Sequence, residues 1–216
     1  VLCDILGKEW IMTISLKLTD SIKSIEKKVF KAIVEEANTS LFKSTAKIIE
    51  PIKMIVINAL ESSPEISSLN NGTLRADFGI PAGKDVTTPI VRSIANSVFI
   101  SKTKFSVSGN KISGGITIGV QPISYANLSG LGITPLEKGG SLPWLDWLIN
   151  LGDSIIISDF GVDYGPFGRS GQARMSVKSR PFKVDSNFSG TPEDNFITRS
   201  LDKRASEIAS IIKRSL

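Results

Sequence analysis

Carboxylates are the residues in this sequence best able to perform acid–base chemistry. Asp153, Asp159 and Asp163 lie close together in the chain, and Glu193 is followed directly by Asp194. Paired carboxylates can cleave glycosidic bonds, one as the acid and the other as base or nucleophile. However, Asp153 precedes an expected strand in a turn, and Glu193 and Asp194 suit the first turn of a helix. Structural roles therefore account for these residues, and no catalytic residue is predicted.

Other reaction chemistries are excluded by composition. The 216 residues include no histidine, which removes His-based nucleophile systems, metal sites and pH switches. The single Cys3 excludes an internal disulfide and a Cys-based zinc site. Gly130-Leu131-Gly132 carries only two glycines of a dinucleotide fingerprint and does not follow a convincing strand. We therefore expect no cofactor, no metal and no enzymatic activity.

Aromatic residues instead suggest packing or binding surfaces. Trp144 and Trp147 lie three residues apart, on one face of an expected short helix with Leu148. A core or interface anchor is the simplest interpretation. A platform that stacks on carbohydrate rings is the alternative.

A hairpin predicted over residues 155–177 supplies the second group of candidates. Its glycine-rich tip, residues 161–171, carries Tyr164, Phe167 and Arg169, and these residue types are enriched at interface hot spots. We expect this tip to project and to contact another subunit. Packing of the tip onto its own domain is the alternative. The two strands are predicted as Ile155–Phe160 and Ala173–Val177.

The longest predicted element is the helical region Ser21–Leu60, whose apolar residues recur at steps of three and four. Thr19 or Asp20 is expected to cap it, and Pro51 predicts either one kinked helix or two consecutive helices. Its other face is rich in lysine, balanced in part by glutamate. A solvated face is the simplest interpretation, and contact with an acidic neighbouring subunit is the alternative.

The remaining elements follow from turn signals and alternation. After Asn70-Asn71-Gly72, the alternation of Leu74, Ala76 and Phe78 predicts a strand that contains Arg75. A helix is expected over about Asp85–Val98. A strand pair over 99–120 should turn at 108–110 and carry a bulge or a close backbone approach at 113–115, and Thr191 should cap a closing helix.

These elements predict an α+β fold in which a long N-terminal helical region packs on an antiparallel β-sheet with an extended hairpin and a closing C-terminal helix. Residues 19–216 should form one domain, preceded by an N-terminal arm or extension at 1–18. Met12 offers an alternative start, which would make residues 1–11 an upstream extension. The net charge of +5 indicates no dedicated nucleic-acid binder, and no apolar run reaches the roughly 18 residues of a membrane span.

Two segments carry a resemblance to a known family. The first is ISSLNNGTLRADFGIP at residues 66–81, after the long helix, and it supplies Arg75 as a further candidate interface residue. The second is the closing block LPWLDWL, GDSIIIS, RSGQARM, RPFKV and FSGTPEDNFITRS. Together they resemble small virion proteins of contractile-tailed bacteriophages, in particular neck or tail-completion proteins. The resemblance covers roughly Thr19–Leu216.

The resemblance implies a structural subunit of a homo-oligomeric ring at the head–tail junction, either a neck (tail-completion) or a tail-terminator protein. The implied partners are copies of the chain and neighbouring neck, tail or portal-associated proteins, with passive passage of DNA and no membrane. The implied location is the virion, assembled in the host bacterial cytoplasm. A baseplate or other minor tail protein, or a host- or glycan-contacting module, is the alternative.

Overall fold

A computed structural model describes residues 19–109, 111–120, 128, 130–136, 139–177 and 181–215. The extension predicted at 1–18 lies outside the described residues. The α+β fold class is confirmed. The helices are α1 Ile22–Glu61, α2 Pro64–Asn71, α3 Thr73–Asp77, α4 Thr87–Asn96, α5 Leu145–Ile149, α6 Phe196–Asp202 and α7 Ala205–Ser215. The strands are β1 Val98–Ser108, β2 Lys111–Val120, β3 Thr134–Pro135, β4 Ser141–Leu142, β5 Ile155–Ile157, β6 Phe160–Tyr164, β7 Ala173–Val177 and β8 Phe182–Lys183.

Helix α1 is one continuous helix of 40 residues with Pro51 inside it, so the long-helix prediction is confirmed. At 1.5 Å per residue it is about 60 Å long. Its cap is Ser21, whose side chain accepts a hydrogen bond from the Ser24 amide, rather than the predicted Thr19 or Asp20. Its buried apolar side chains begin only at its midpoint: Leu41, Ile48, Ile52, Ile55, Val56, Ala59 and Leu60.

The hydrophobic core is built on this second half of α1. Helix α4 supplies Ile90, Val91 and Ile94, while α5 and α6 add apolar side chains from the C-terminal part of the chain. Helix α7 packs along α1 as well, and the Ser44 hydroxyl donates to the Ser215 carbonyl near its end. Core packing thus involves helices from both ends of the described sequence.

The described strands form four separate two-stranded antiparallel ribbons, β1–β2, β3–β4, β5–β8 and β6–β7, rather than one continuous sheet. The predicted bulge in the first ribbon is confirmed, because the register shifts between Thr103 and Ser106. Opposite this shift a Cβ on Gly114 would lie 2.5 Å from the Phe105 Cα. Only glycine allows the two backbones to approach so closely.

Three further local predictions were wrong. Residues 74–78 are not a strand, because Leu74, Ala76 and the intervening Arg75 are all buried in the short helix α3. The hairpin strands are β6 and β7, while Ile155–Ile157 pairs with β8 instead. The closing helix begins after Asn195, which forms a capping box with Thr198, and it is followed by the separate helix α7. Thr191 instead accepts a hydrogen bond from the Asp194 amide in the preceding turn.

Asn38 ties the β1–β2 ribbon to α1. Its side-chain amide donates to the Phe105 carbonyl at 3.1 Å and its oxygen accepts from the Phe105 amide at 2.8 Å. Phe105 lies within the register shift, where the partner strand does not satisfy both of its backbone groups. The side chain therefore replaces the missing strand partner.

We predict that Asn38→Ala speeds amide hydrogen exchange at Phe105 at least tenfold, because the amide loses its acceptor and about 1–3 kcal/mol of local stabilisation. Asn38→Asp is the matched control, since it can still accept from the amide. Exchange measured by NMR should give an intermediate rate for Asn38→Asp. Equal exchange rates in all three proteins would show that the hydrogen bonds of Asn38 do not hold the ribbon on α1.

Candidate functional site

The first half of α1 and the outer part of the β1–β2 ribbon form a two-layer extension, which we call the arm. It comprises residues 22–40, 101–109 and 111–117. None of these residues is buried, although many are apolar. Its large exposed apolar side chains are Ile22 (72% exposed), Val29 (50%), Ile33 (48%), Val107 (41%) and Ile112 (37%).

Among the residues that the structure describes, no third layer covers this apolar surface. One open groove is lined by Ala32, Ile33, Ala37 and Phe105, and another lies between Phe30, Val34 and the ribbon turn at Val107. A two-stranded ribbon has little stability of its own in water. The arm therefore combines a weakly supported structure with an apolar surface suited to a partner.

The predicted interface tip of the β6–β7 hairpin folds back on its own domain. The Tyr164 hydroxyl donates to the Asp77 carboxylate at 2.7 Å, and the Gln172 amide donates to Asn71 at 3.2 Å. The Arg169 guanidinium donates to the Pro135 carbonyl, and its own carbonyl accepts from the Ala82 amide. The tip is therefore held by α3 and nearby loops, so the alternative prediction, in which the tip packs on its own domain, describes it correctly. The ribbon without buried residues in its outer part is β1–β2.

Phe167 remains 37% exposed within this tip. The Arg174 guanidinium lies 4.8 Å from its ring centroid, in a cation–π contact. Such contacts at exposed sites contribute about 0.5–1 kcal/mol. Tyr164 keeps 59% of its surface exposed. The tip therefore still presents aromatic surface, although its hydrogen bonds hold it against the rest of the chain.

Arg75 is a buried structural residue, not an exposed contact. Its guanidinium donates to the carbonyls of Leu69 and Asn70, at 3.2 Å each, and to those of Pro81 and Lys84. Two of these carbonyls belong to the last turn of α2, where a cation also complements the helix dipole. Arg75 thus joins the end of α2 to the loop before α4, a role that the strand prediction did not indicate.

Trp144 is fully buried and stacks on Phe78, with ring centroids 5.4 Å apart and 19° between the ring planes. Trp147 is partly buried and packs against the same core, and its indole Nε1 has no hydrogen-bond partner among the described residues. The two tryptophans do not form a flat exposed platform, which argues against carbohydrate stacking there.

Asp77 lies in an open cleft between α3 and the strands β6 and β8, lined also by Tyr164, Lys183 and Asp185. Burial raises the pKa of the Asp77 carboxyl to about 6, the hydrogen bond from Tyr164 lowers it, and the nearby Asp185 charge raises it. Burial, followed by the contact with Asp77, raises the pKa of the Tyr164 hydroxyl above its ordinary value. Sequence reasoning missed this pair because its partners lie 87 residues apart.

The carboxylates first considered for catalysis make separate ion pairs. Asp153 contacts Lys183 at 3.2 Å, and Asp194 contacts Arg199 at 3.2 Å. Arg199 also reaches the buried Glu65 at 2.9 Å, which ties α6 to α2. No group of three or more potential metal ligands occurs in the described part of the chain.

No helix within the described ranges has the length and apolar character needed to cross a membrane. Comparison with protein-family models, curated protein sequences and solved structures gave no significant match. The functional interpretation therefore depends on the geometry of the chain and on the sequence resemblance.

Replacing the buried Trp144 should test its place in the core. We expect Trp144→Ala to lower the free energy of unfolding by about 3–5 kcal/mol, because it leaves a large cavity against Phe78. Phe167→Ala, at a partly exposed ring, is the matched control and should cost less than half as much. Urea denaturation measures both, and a loss under 1 kcal/mol for Trp144→Ala would contradict its burial.

The raised pKa of Asp77 predicts a pH-dependent stability. Because the folded state binds this proton more tightly than the unfolded state, whose pKa is 3.8, the contribution is present below about pH 4 and is lost as the pH rises through about 6. Relative to Asp77→Asn, the native protein should lose roughly 1–3 kcal/mol of unfolding free energy between pH 4 and pH 7. Parallel pH profiles of the two proteins would contradict the assignment.

Tyr164→Phe provides the matched control for that titration. It removes the hydrogen bond that lowers the pKa of Asp77, so the transition should move to higher pH. A transition that stays in place would show that the hydroxyl does not influence the carboxyl.

Proposed function

We propose that this chain is a structural subunit of a bacteriophage virion, which assembles with copies of itself into a ring at the head–tail junction. The observation that carries the proposal is the arm, whose apolar side chains have no cover within the described residues. A fully exposed Val, Leu or Ile side chain gains about 1.5–3 kcal/mol on burial. Covering the five large exposed side chains of the arm would therefore contribute several kcal/mol to assembly.

The assignment to a phage rests on the sequence resemblance of residues 66–81 and the closing block. We place the subunit at the neck, as a tail-completion or tail-terminator protein, because the neck and tail-completion proteins that the sequence resembles join head and tail. Neighbouring neck, tail or portal-associated proteins would be its other partners, in virions assembled in the host cytoplasm, and DNA would pass through the ring without being bound tightly.

The geometry favours an assembly role over the glycan-contacting alternative. A carbohydrate platform needs exposed, coplanar aromatic rings, whereas Trp144 is buried against Phe78. The folded-back hairpin tip retains some aromatic surface, whereas the arm exposes five large aliphatic side chains together.

Native mass across a concentration range tests the proposal. The protein is expected to form a discrete multimer, visible as rings by negative-stain electron microscopy. Ile33→Glu should shift the equilibrium at least tenfold toward monomer, because it places a charge in the interface.

Met54→Glu is the matched control, because Met54 is comparably exposed on α1 outside the arm. This control should retain the multimer. A native protein that stays monomeric at high concentration and binds no tail or portal protein would contradict the proposal.

A further inference from the structure

A small polar cavity lies at the end of α1 opposite to the arm. Two turns meet around it, one between α1 and α2 and one between α6 and α7. Its volume is about 230 Å³, and its lining consists of Ala59, Ser62, Ser63, Ser200, Lys203 and Arg204. Because one molecule of liquid water takes up about 30 Å³, the cavity has room for a ligand of several heavy atoms.

Ser200 presents an unpaired hydroxyl to this cavity. The residue lies on α6, is only 6% exposed and lines the cavity. Its hydroxyl has no hydrogen-bond partner among the described residues. The helical hydroxyls of Ser44 and Thr45, in contrast, donate to carbonyls four residues earlier. Since a buried polar group without a partner costs free energy, a ligand that bonds to the Ser200 hydroxyl would remove that cost.

The other side chains around the cavity mainly offer donors. The Ser63 oxygen accepts from the Ile66 amide at 3.3 Å, so its proton is left to donate. The Lys203 ammonium has no partner within the described part of the chain. The Arg204 guanidinium uses one nitrogen toward Glu207, at 3.3 Å. Lysine and arginine side chains can only donate, so the cavity suits a ligand that accepts hydrogen bonds.

The break between α6 and α7 brings both cations to the cavity. With 3.6 residues per turn, consecutive residues of a continuous helix point in directions about 100° apart. Here α6 ends at Asp202, and the Arg204 amide donates to the Leu201 carbonyl at 2.9 Å in the turn that follows. Lys203 and Arg204 consequently line the same cavity, whose lining includes no carboxylate. Its side chains therefore favour a negatively charged ligand.

Contacts beside the cavity fix its shape. Glu65 on α2 is 2% exposed and accepts from the Arg199 guanidinium on α6 at 2.9 Å, which ties the two helices together. The Ser62 hydroxyl donates to the Ala59 carbonyl at 2.9 Å, so this carbonyl at the end of α1 is already paired. The first turn of α2 adds the partial positive charge of a helix N-terminus.

We propose that this cavity binds a phosphate ion. The hydroxyls of Ser63 and Ser200 and the cationic groups of Lys203 and Arg204 would donate to its oxygens. Hydrogen bonds from cations to a charged oxygen are stronger than those between neutral groups, and the two positive side chains offset the charge of the ion. None of these residues belongs to the arm, so this site goes beyond the proposed function and does not depend on it.

Isothermal titration calorimetry with sodium phosphate at pH 7 tests the site, with sodium chloride holding the ionic strength constant. The native protein should bind one phosphate per subunit in a saturable manner. Lys203→Gln should raise the Kd at least fivefold, and Ser200→Ala at least threefold, because each removes a donor. Lys213→Gln, at an exposed lysine on α7, is the matched control and should leave the Kd unchanged.

Thermal melting of Ser200→Ala separates ligand binding from a structural role. Without phosphate its Tm should equal or exceed that of the native protein, because the lost hydroxyl has no partner within the described chain. With phosphate, the native Tm should rise more than that of the variant, since only binding to the folded state adds stability. A lower Tm of the variant without phosphate, together with an unchanged Kd, would assign Ser200 to the fold alone.

Two further results would overturn the inference. The absence of saturable binding, or an equal Kd in the native, Ser200→Ala and Lys203→Gln proteins, would show that the cavity holds only water. Tighter binding of a short DNA duplex than of phosphate, weakened by the same two substitutions, would assign these residues to the nucleic-acid backbone and reject a site for the small ion. The oligomeric state of the native protein enters neither result, so the proposed function is tested separately.

Discussion

Burial of one face of α1, from Leu41 to Leu60, is the interaction on which the rest of this fold depends. Helix α4, the base of the β1–β2 ribbon, and the C-terminal helices α6 and α7 all pack against this half-helix. The apolar side chains on this face are almost completely buried, although Phe42 and Met54 on the other side of the same half are exposed, whereas no side chain of residues 22–40 is buried. Because a helix of this length is sustained chiefly by packing of its apolar face, the buried half stabilises the exposed half. The helix of the arm is thus the part of α1 that extends outside the hydrophobic core.

The residues that stabilise the fold are therefore different from those that are exposed for contacts with other molecules. The buried groups Arg75, Glu65 and Trp144 join helices within the domain, so substitution there should act on folding. The arm contributes little to that core, and the two hydrogen bonds between Asn38 and the Phe105 backbone hold its ribbon on α1. Its exposed apolar and basic side chains are consequently free to serve contacts with other molecules. This division suits the proposed role as a structural subunit, since an interface can then form without loss of the fold.

Sequence patterns predicted the elements whose signals are local. The stripe of α1, helix α4 and the bulge beside Gly114 all follow from spacing or from glycine, and all are present.

The errors arose where contacts with residues distant in the sequence determine the local structure. Leu74, Ala76 and Phe78 alternate as in a strand, but the carbonyls that Arg75 binds, some from α2 and some from the following loop, favour the short helix. Similarly, the aromatic tip of the hairpin is held by Asp77, 87 residues from Tyr164, and no local signal reveals that contact. No local signal reveals the bonds between Asn38 and Phe105 either, since these residues lie 67 positions apart.

Hydrogen–deuterium exchange of the whole protein at low and high concentration, followed by mass spectrometry, tests the central claim most directly. The account predicts that peptides from residues 22–40 and 101–117 exchange quickly in dilute protein and become protected as the concentration rises. Peptides from Leu41–Leu60 should be protected throughout, because they belong to the core. Arm peptides that are already fully protected in the dilute monomer, or that gain no protection in the multimer, would contradict the claim that the arm is the assembly surface.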